Sequence, residues 1–307
     1  MPESRRLPVP EGLVGERIDV ALSRMLGLSR SAAVGLIDEG HVRVDDRVVA
    51  KSERLSGGQW IDVHIPEPEA EREPEPVEGM RIVFDDDDLV IVDKPVGVAA
   101  HPSPGWTGPT VIGGLAAAGY RISTSGAAER QGVVHRLDVG TTGLMAVAKS
   151  EPAYRSLKDQ FRDRTVEKVY RAIAQGHLDP LAGTIDAPID RHPTQDWRMA
   201  VVSGGRPSIT HYETLEAFPR ASLLEIHLET GRTHQIRAHL AALRHPLVGD
   251  TTYGADPTLA ERLGLARPAL HAARLELEHP ATGARVVAES PDPPDFADAL
   301  RRLGDGA

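Results

Sequence analysis

Apolar residues at helical spacing mark the first readable element: Ile18, Leu22, Met25 and Leu26 share one face, and Gly27 stops the run. Ser29 is placed to cap a second helix, with Ala33, Leu36 and Ile37 turned inward and Gly40 at its end. The period then drops to two. Val42, Val44 and Val48, followed by Ile61, Val63 and Ile65, alternate as strands of a small sheet. These pieces predict one small unit over residues 14–66, near the lower size limit for independent folding. Residues 67–80 are rich in Pro and Glu, lack apolar periodicity, and read as an extended linker. A larger domain over 81–305 opens with a strand, a run of four aspartates as a turn, and the apolar strand 89–92 ahead of Lys94-Pro95. Strand-like alternation returns at 169–174, 223–228 and 273–277, and helical spacing at 153–161 and 233–243. Strands and helices do not alternate regularly, so an α+β fold with a mixed sheet is expected rather than a doubly wound one.

Composition narrows the setting. The chain has no cysteine, which removes disulfides, thiolate metal sites and cysteine nucleophiles and suits a reducing cytoplasm. The N-terminus carries charge with no apolar stretch after it, and no apolar run could span a bilayer, so neither a signal peptide nor membrane attachment is expected. A net charge of −10 weighs against nucleic acid at first sight. The acid is segregated, however. Residues 67–80 hold six glutamates against one arginine, whereas 131–172 hold eight Lys/Arg against five Asp/Glu, and 230–249 hold three arginines and no acid.

Those basic segments carry the candidate chemistry. Asp138 lies two residues after Arg136 in a Gly/Thr-rich turn between two apolar runs, a setting that exposes a side chain at a sheet edge. Alone, it reads better as a loop-capping aspartate. Three further segments change that reading: Glu167-Lys-Val-Tyr170-Arg-Ala, Arg232-Thr-His234-Gln-Ile-Arg237, and His245-Pro-Leu-Val-Gly-Asp250-x-x-Tyr253-Gly. Lys94-Pro-x-Gly97 and His101-Pro102 precede them and Leu270-His-Ala follows. In this order they resemble the RluA/RluD family of pseudouridine synthases, the type that acts on large-subunit ribosomal RNA. The front of the chain, with Arg17-Ile-Asp-Val-Ala-Leu, Leu36-Ile-x-x-Gly40 and Gly58-x-x-Ile61, resembles the S4 RNA-binding domain. There the hairpin position often held by Asn-Gly reads Asp45-Asp46, a less favourable pair for a tight turn.

The resemblance implies a pseudouridine synthase domain with a mixed, mainly antiparallel sheet behind an S4-like domain, and the isomerisation of uridine. That reaction breaks N1–C1′, rotates the uracil and rejoins it through C5. No net redox change occurs, so no cofactor is expected. A carboxylate beside the ribose is needed, and Asp138 would supply it, by attack on C1′ or by removal of the 2′-proton. Arg237 would hold Asp138 ionised, and Tyr170 would stack on the base and offer its hydroxyl as proton acceptor at C5. Arg136 would fill the space left by the flipped base or hold phosphate. Arg232, His135 and His234 are expected around the bound RNA, the histidines bonding backbone or phosphate. Arg30 and Lys51 are expected to meet phosphate from the S4-like domain. No metal is expected, since the thirteen histidines form no H-E-x-x-H pattern and His234 and His239 lie five apart. The implied partner is RNA, 23S ribosomal RNA or a large-subunit precursor, met by a cytoplasmic monomer. Two rivals stand beside this reading: an RNA-binding protein without activity, and a glycosidic hydrolase, for which no motif supplies the second, water-activating acid.

Overall fold

The computed structural model describes residues 3–28, 30–66, 74–103, 105–126 and 130–306. The expected capping residue Ser29 and the linker stretch 67–73 lie outside them. The chain divides into two compact units, Met1–Arg72 and Glu73–Ala307.

The first unit begins with a strand that the apolar pattern did not announce, β1 (Glu3–Pro8). Helices α1 (Ile18–Leu26) and α2 (Arg30–Asp38) follow, then β2 (Val42–Val44), β3 (Arg47–Val48) and β4 (Trp60–Ile65). The strands form an antiparallel sheet in the order β1-β4-β2-β3. Val42, Val44, Ile61 and Val63 turn to the helices and close a core with Ile18, Leu22 and Ile37, as the two periodicities require. Asp45 and Asp46 both take positive φ (47° and 63°), the backbone of a tight two-residue hairpin. The turn forms without Asn-Gly because the Asp45 carboxylate accepts the amide of Trp60 (2.9 Å) and the Gln59 side chain (3.1 Å).

In the second unit β5 (Arg81–Asp85) and β6 (Leu89–Lys94) pair as a hairpin, followed by α3 (Val111–Ala117), β7 (Thr142–Ala148) and α4 (Glu151–Asp163). The chain continues through β8 (Glu167–Gln175), β9 (Ala182–Asp186), β10 (Ile189–His192), β11 (Gln195–Val201), β12 (Ile209–Ala217) and β13 (Ala221–Leu228). Helices α5 (Gln235–Ala242) and α6 (Pro257–Leu263), strands β14 (Leu270–Glu278) and β15 (Arg285–Glu289), and α7 (Pro294–Gly304) complete it. Nine strands make one mixed sheet, β5-β6-β7-β14-β8-β13-β12-β9, with β15 on β14; β10 and β11 stand apart as a hairpin. Among the described strands only β7 and β14 run parallel.

Alternation along the strands sorts the core into two faces. Val90, Val92, Met145, Val147, Tyr170, Ala172, Leu224 and Ile226 meet α3 and α5 through Val111, Leu115, Ile236 and Leu240. Leu89, Ile91, Leu144 and Ala146 point the other way, against Ala153 and Leu157 of α4. Ile173 and Leu223 do the same against α6 and α7. Val77 and Met80, from the expected linker, pack on the first of these faces. Among the described residues no helix is long and apolar enough to cross a membrane, and no three His, Asp or Glu side chains are grouped to hold a metal.

Candidate active site

Asp138 sits in the segment leading into β7, on the sheet face covered by α3 and α5. Leu137 is buried in that face, and the Asp138 carbonyl accepts the Thr141 amide (3.0 Å). The turn so closed leaves the carboxylate 18% exposed. Three other elements converge on it. β8 brings Tyr170, the start of α5 brings His234 and Arg237, and the short turn after Val248 brings Asp250 and Tyr253.

Arg237 does reach Asp138, with Nη1 3.4 Å from Oδ2. Its principal partner is nevertheless Asp250, which accepts from Nε at 2.7 Å and from Nη2 at 2.9 Å and is only 1% exposed. One guanidinium thus serves two carboxylates, Asp250 as well as the Asp138 expected from sequence, and the bidentate bond fixes its plane. The same guanidinium lies over the ring of Tyr253, 4.9 Å from its centre.

His234, the residue before α5, has left-handed backbone (φ 54°). Its Nδ1 lies 3.1 Å from the Tyr253 hydroxyl and its Nε2 3.9 Å from Asp138 Oδ2. Burial lowers its pKa, opposed by the nearby Asp138 charge. The next side chain, Gln235, is buried and pins the segment. Its carbonyl accepts from Thr230 Oγ1 and the Arg232 amide, and its amide donates to Ile209 O and Thr210 Oγ1. Tyr253 fastens the β10–β11 hairpin to the site. Its hydroxyl accepts the Met199 amide (3.0 Å) and donates to the Met199 carbonyl (3.1 Å).

Tyr170 is buried with its ring in the core face beside Asp138. Burial, and then the Asp138 charge, push its hydroxyl well above the usual tyrosine range. The hydroxyl is therefore protonated in the free protein. Stacking remains open to the ring. Lys94, for which the sequence suggested no role, is fully buried at the end of β6. Burial brings its pKa down to about 7, against the raising effect of Asp138. Its ammonium faces three carbonyls, Pro95 O (3.0 Å), Val98 O (2.9 Å) and Val139 O (3.5 Å), so it ties β6 to the Asp138 turn.

The remaining expected residues divide. Arg136 is exposed two residues from Asp138, and Arg232 donates from Nε to Pro207 O (3.3 Å). His135 turns towards α4. Its Nε2 accepts the Ala146 amide (2.9 Å), its ring stacks on Phe161 of α4, and burial takes its pKa to about 3. In the first unit Arg30 donates to the buried Asp19 (2.9 Å) and Lys51 pairs with Asp38 (3.2 Å), so both charges already have acid partners.

Residues 88–242 match the family described as RNA pseudouridylate synthase, and residues 16–61 match the S4 domain. An RNA pseudouridine synthase of Mycobacterium bovis is 59% identical over 305 residues, covering 98% of this chain and 99% of its own length. Ribosomal large subunit pseudouridine synthase D of Escherichia coli is 38% identical, covering 95% of this chain and 92% of its own. Among solved structures, human RNA pseudouridylate synthase domain containing 1 superposes with a TM-score of 0.58 at 31% identity, over 74% of this chain and 90% of that one.

Proposed function

The chain belongs to the RNA pseudouridylate synthase family and carries an S4 domain, and on that premise we propose that it isomerises selected uridines of large-subunit ribosomal RNA through the Asp138 carboxylate. As an RNA pseudouridine synthase it is an isomerase acting on RNA. The ribosomal substrate is proposed from the relatives whose names specify the large subunit. The observation that carries the role of Asp138 is its placement: a part-exposed carboxylate in a wall of cations and aromatics, 3.4 Å from a guanidinium that is itself locked by a buried acid. Such a carboxylate is held ready for the ribose while the Tyr170 ring stacks on the uracil. Arg136, Arg232 and His234 stand around the mouth, where a phosphate backbone would run.

The single glycosidic-cleavage rival needs a second acid to activate water. Asp250 is spent on Arg237 and almost wholly enclosed, which leaves Asp138 the one carboxylate open to substrate among the described residues of the site. Asp138→Asn keeps the shape and removes both nucleophile and base. Tritium release from a large-subunit ribosomal RNA transcript labelled at uridine C5 should vanish while RNA binding persists. Activity within about tenfold of wild type would contradict the assignment, since loss of a reacting group costs far more than that.

A further inference from the structure

We propose that Arg267 is a positioning residue for the isomerisation: its segment is wedged between the turn that carries Asp138 and the turn that carries Asp250, and sets the placement of the two carboxylates that share Arg237. The inference rests on the isomerase reading with Asp138 at the ribose and names a buried residue on which the placement of that carboxylate depends.

The wedge is the stretch 267–269, between α6 and β14. On one side it meets the Asp138 turn. Arg267 Nη1 donates to Gly140 O (3.4 Å), and Gly140 lies so near the Pro268 ring that an added Cβ would stand 3.2 Å from its Cδ. On the other side it meets the Asp250 turn. The Ala269 amide donates to Val248 O (2.9 Å), and the Arg267 carbonyl fills the place that a Cβ on Gly249 would need.

These contacts close a circuit. Asp138 reaches Arg237, Arg237 is bound twice by Asp250, Asp250 follows Gly249 against the Arg267 carbonyl, and Arg267 returns to the Asp138 turn through Gly140. Within the site, Arg237 ties Asp138 by a single 3.4 Å contact, which leaves that end loose. The wedge supplies a second link between the same two turns. One link permits rotation of a carboxylate about its partner; two fix its position.

Asp295, in the first turn of α7, keeps the wedge in place. It accepts from Arg267 Nε at 2.6 Å and from Nη2 at 2.8 Å, and this bidentate bond sets the plane of the guanidinium. Nη1 is thereby aimed at the carbonyls of Gly140, Pro268 (3.1 Å) and Leu270 (3.0 Å). Holding α7 to the domain would need the Asp295 pair alone. The remaining nitrogen, turned to the wedge and to the Asp138 turn, is what a fork can add and a lysine cannot.

Two substitutions and one measurement on the unaltered protein test this. Asp295→Asn keeps the shape at a part-exposed position and loses the charge and one of the two bonds; Arg267→Lys keeps the charge and loses the fork. In both, single-turnover tritium release from the C5-labelled transcript at saturating RNA should fall about 10-fold or more, with RNA affinity held within about twofold, because small misplacement of a reacting group is costly to rate and not to binding. Asp298→Asn removes an acid of the same helix that pairs with Arg301 (3.0 Å), and should change neither. Amide hydrogen exchange reads the placement itself. The Thr141 amide, bonded to Asp138 O, and the Asp250 amide, bonded to Leu247 O, should open together in wild-type protein. Both should lose protection by about tenfold in the two variants, while amides of β6 and β7 keep theirs. Independent opening of the two turns in wild type would overturn the proposal even if neither variant folds. So would a full rate in either folded variant, or a rate and an affinity that fall together, since the pair would then only hold the fold. Absence of tritium release by wild-type protein would remove the isomerase reading and the proposal with it, whereas uncoupled turns with tritium release intact would remove the proposal alone.

Discussion

Arg237 divides one guanidinium between two carboxylates that differ in exposure and purpose. Asp250 is enclosed and takes two short bonds, whereas Asp138 is open to substrate and takes one long one. Arg237→Met would strand Asp250 without a counter-charge in the interior, at a cost of roughly 3–5 kcal/mol. The double variant Arg237→Met/Asp250→Leu should recover most of that stability in urea unfolding, since apolar replacement of a buried pair is often neutral or better. Tritium release should stay low in both, because neither returns a cation to Asp138. Recovery of rate along with stability would mean that Arg237 acts only by holding the fold. The sequence motif named Arg237 but not this division, which depends on Asp250 arriving from thirteen residues further along.

At the scale of elements, the site is built where loops from separate strands are pressed together, and glycine makes two of those approaches possible. Gly249, beside Asp250, has φ 81°, and a Cβ there would collide with the Arg267 carbonyl. Gly143, at the start of β7, has φ 111°, and its Cβ would collide with the backbone of Ala272 across the parallel pairing with β14. Gly249→Ala should cost roughly 1–3 kcal/mol or more in backbone strain and displacement. It should also shift Asp250 and lower kcat far more than it weakens RNA binding. Thermal unfolding together with single-turnover rates would check this; a stable, fully active variant would show that Asp250 does not depend on the Gly249 backbone. Helices α4 and α5 and strands β6, β8, β13 and β14 were legible because their apolar periods are regular. Strands β9–β12 were not, since Thr, Asp, His and Trp interrupt the apolar alternation along them.

For the whole molecule, the two compact units differ in what they ask of the RNA. With Arg30 and Lys51 already paired to acids, the first unit offers less free charge than its sequence suggests. A protein reduced to residues 74–307 should retain the chemical step at saturating RNA and bind it more weakly. Because Val77 and Met80 pack on the core that carries Tyr170, a protein starting at residue 81 should be less stable than one starting at 74, by about 2 kcal/mol for two partly buried side chains. Equal melting temperatures for the two truncations would place the boundary of the second unit at 81 after all.

By itself the sequence determined the class of reaction and the order of the parts. Family membership is written in contiguous motifs around Asp138, Tyr170 and Arg237, and the regular elements follow from local periods of two and 3.6. Tertiary structure decided which side chains meet. That Arg237 answers to Asp250 as well as Asp138, that Tyr170 is buried beside Asp138, which way His135 turns and that His234 lies between Tyr253 and Asp138 all depend on burial and on contacts between residues far apart in the chain. Those are properties of an enclosed, low-dielectric junction, and no run of neighbouring residues encodes them.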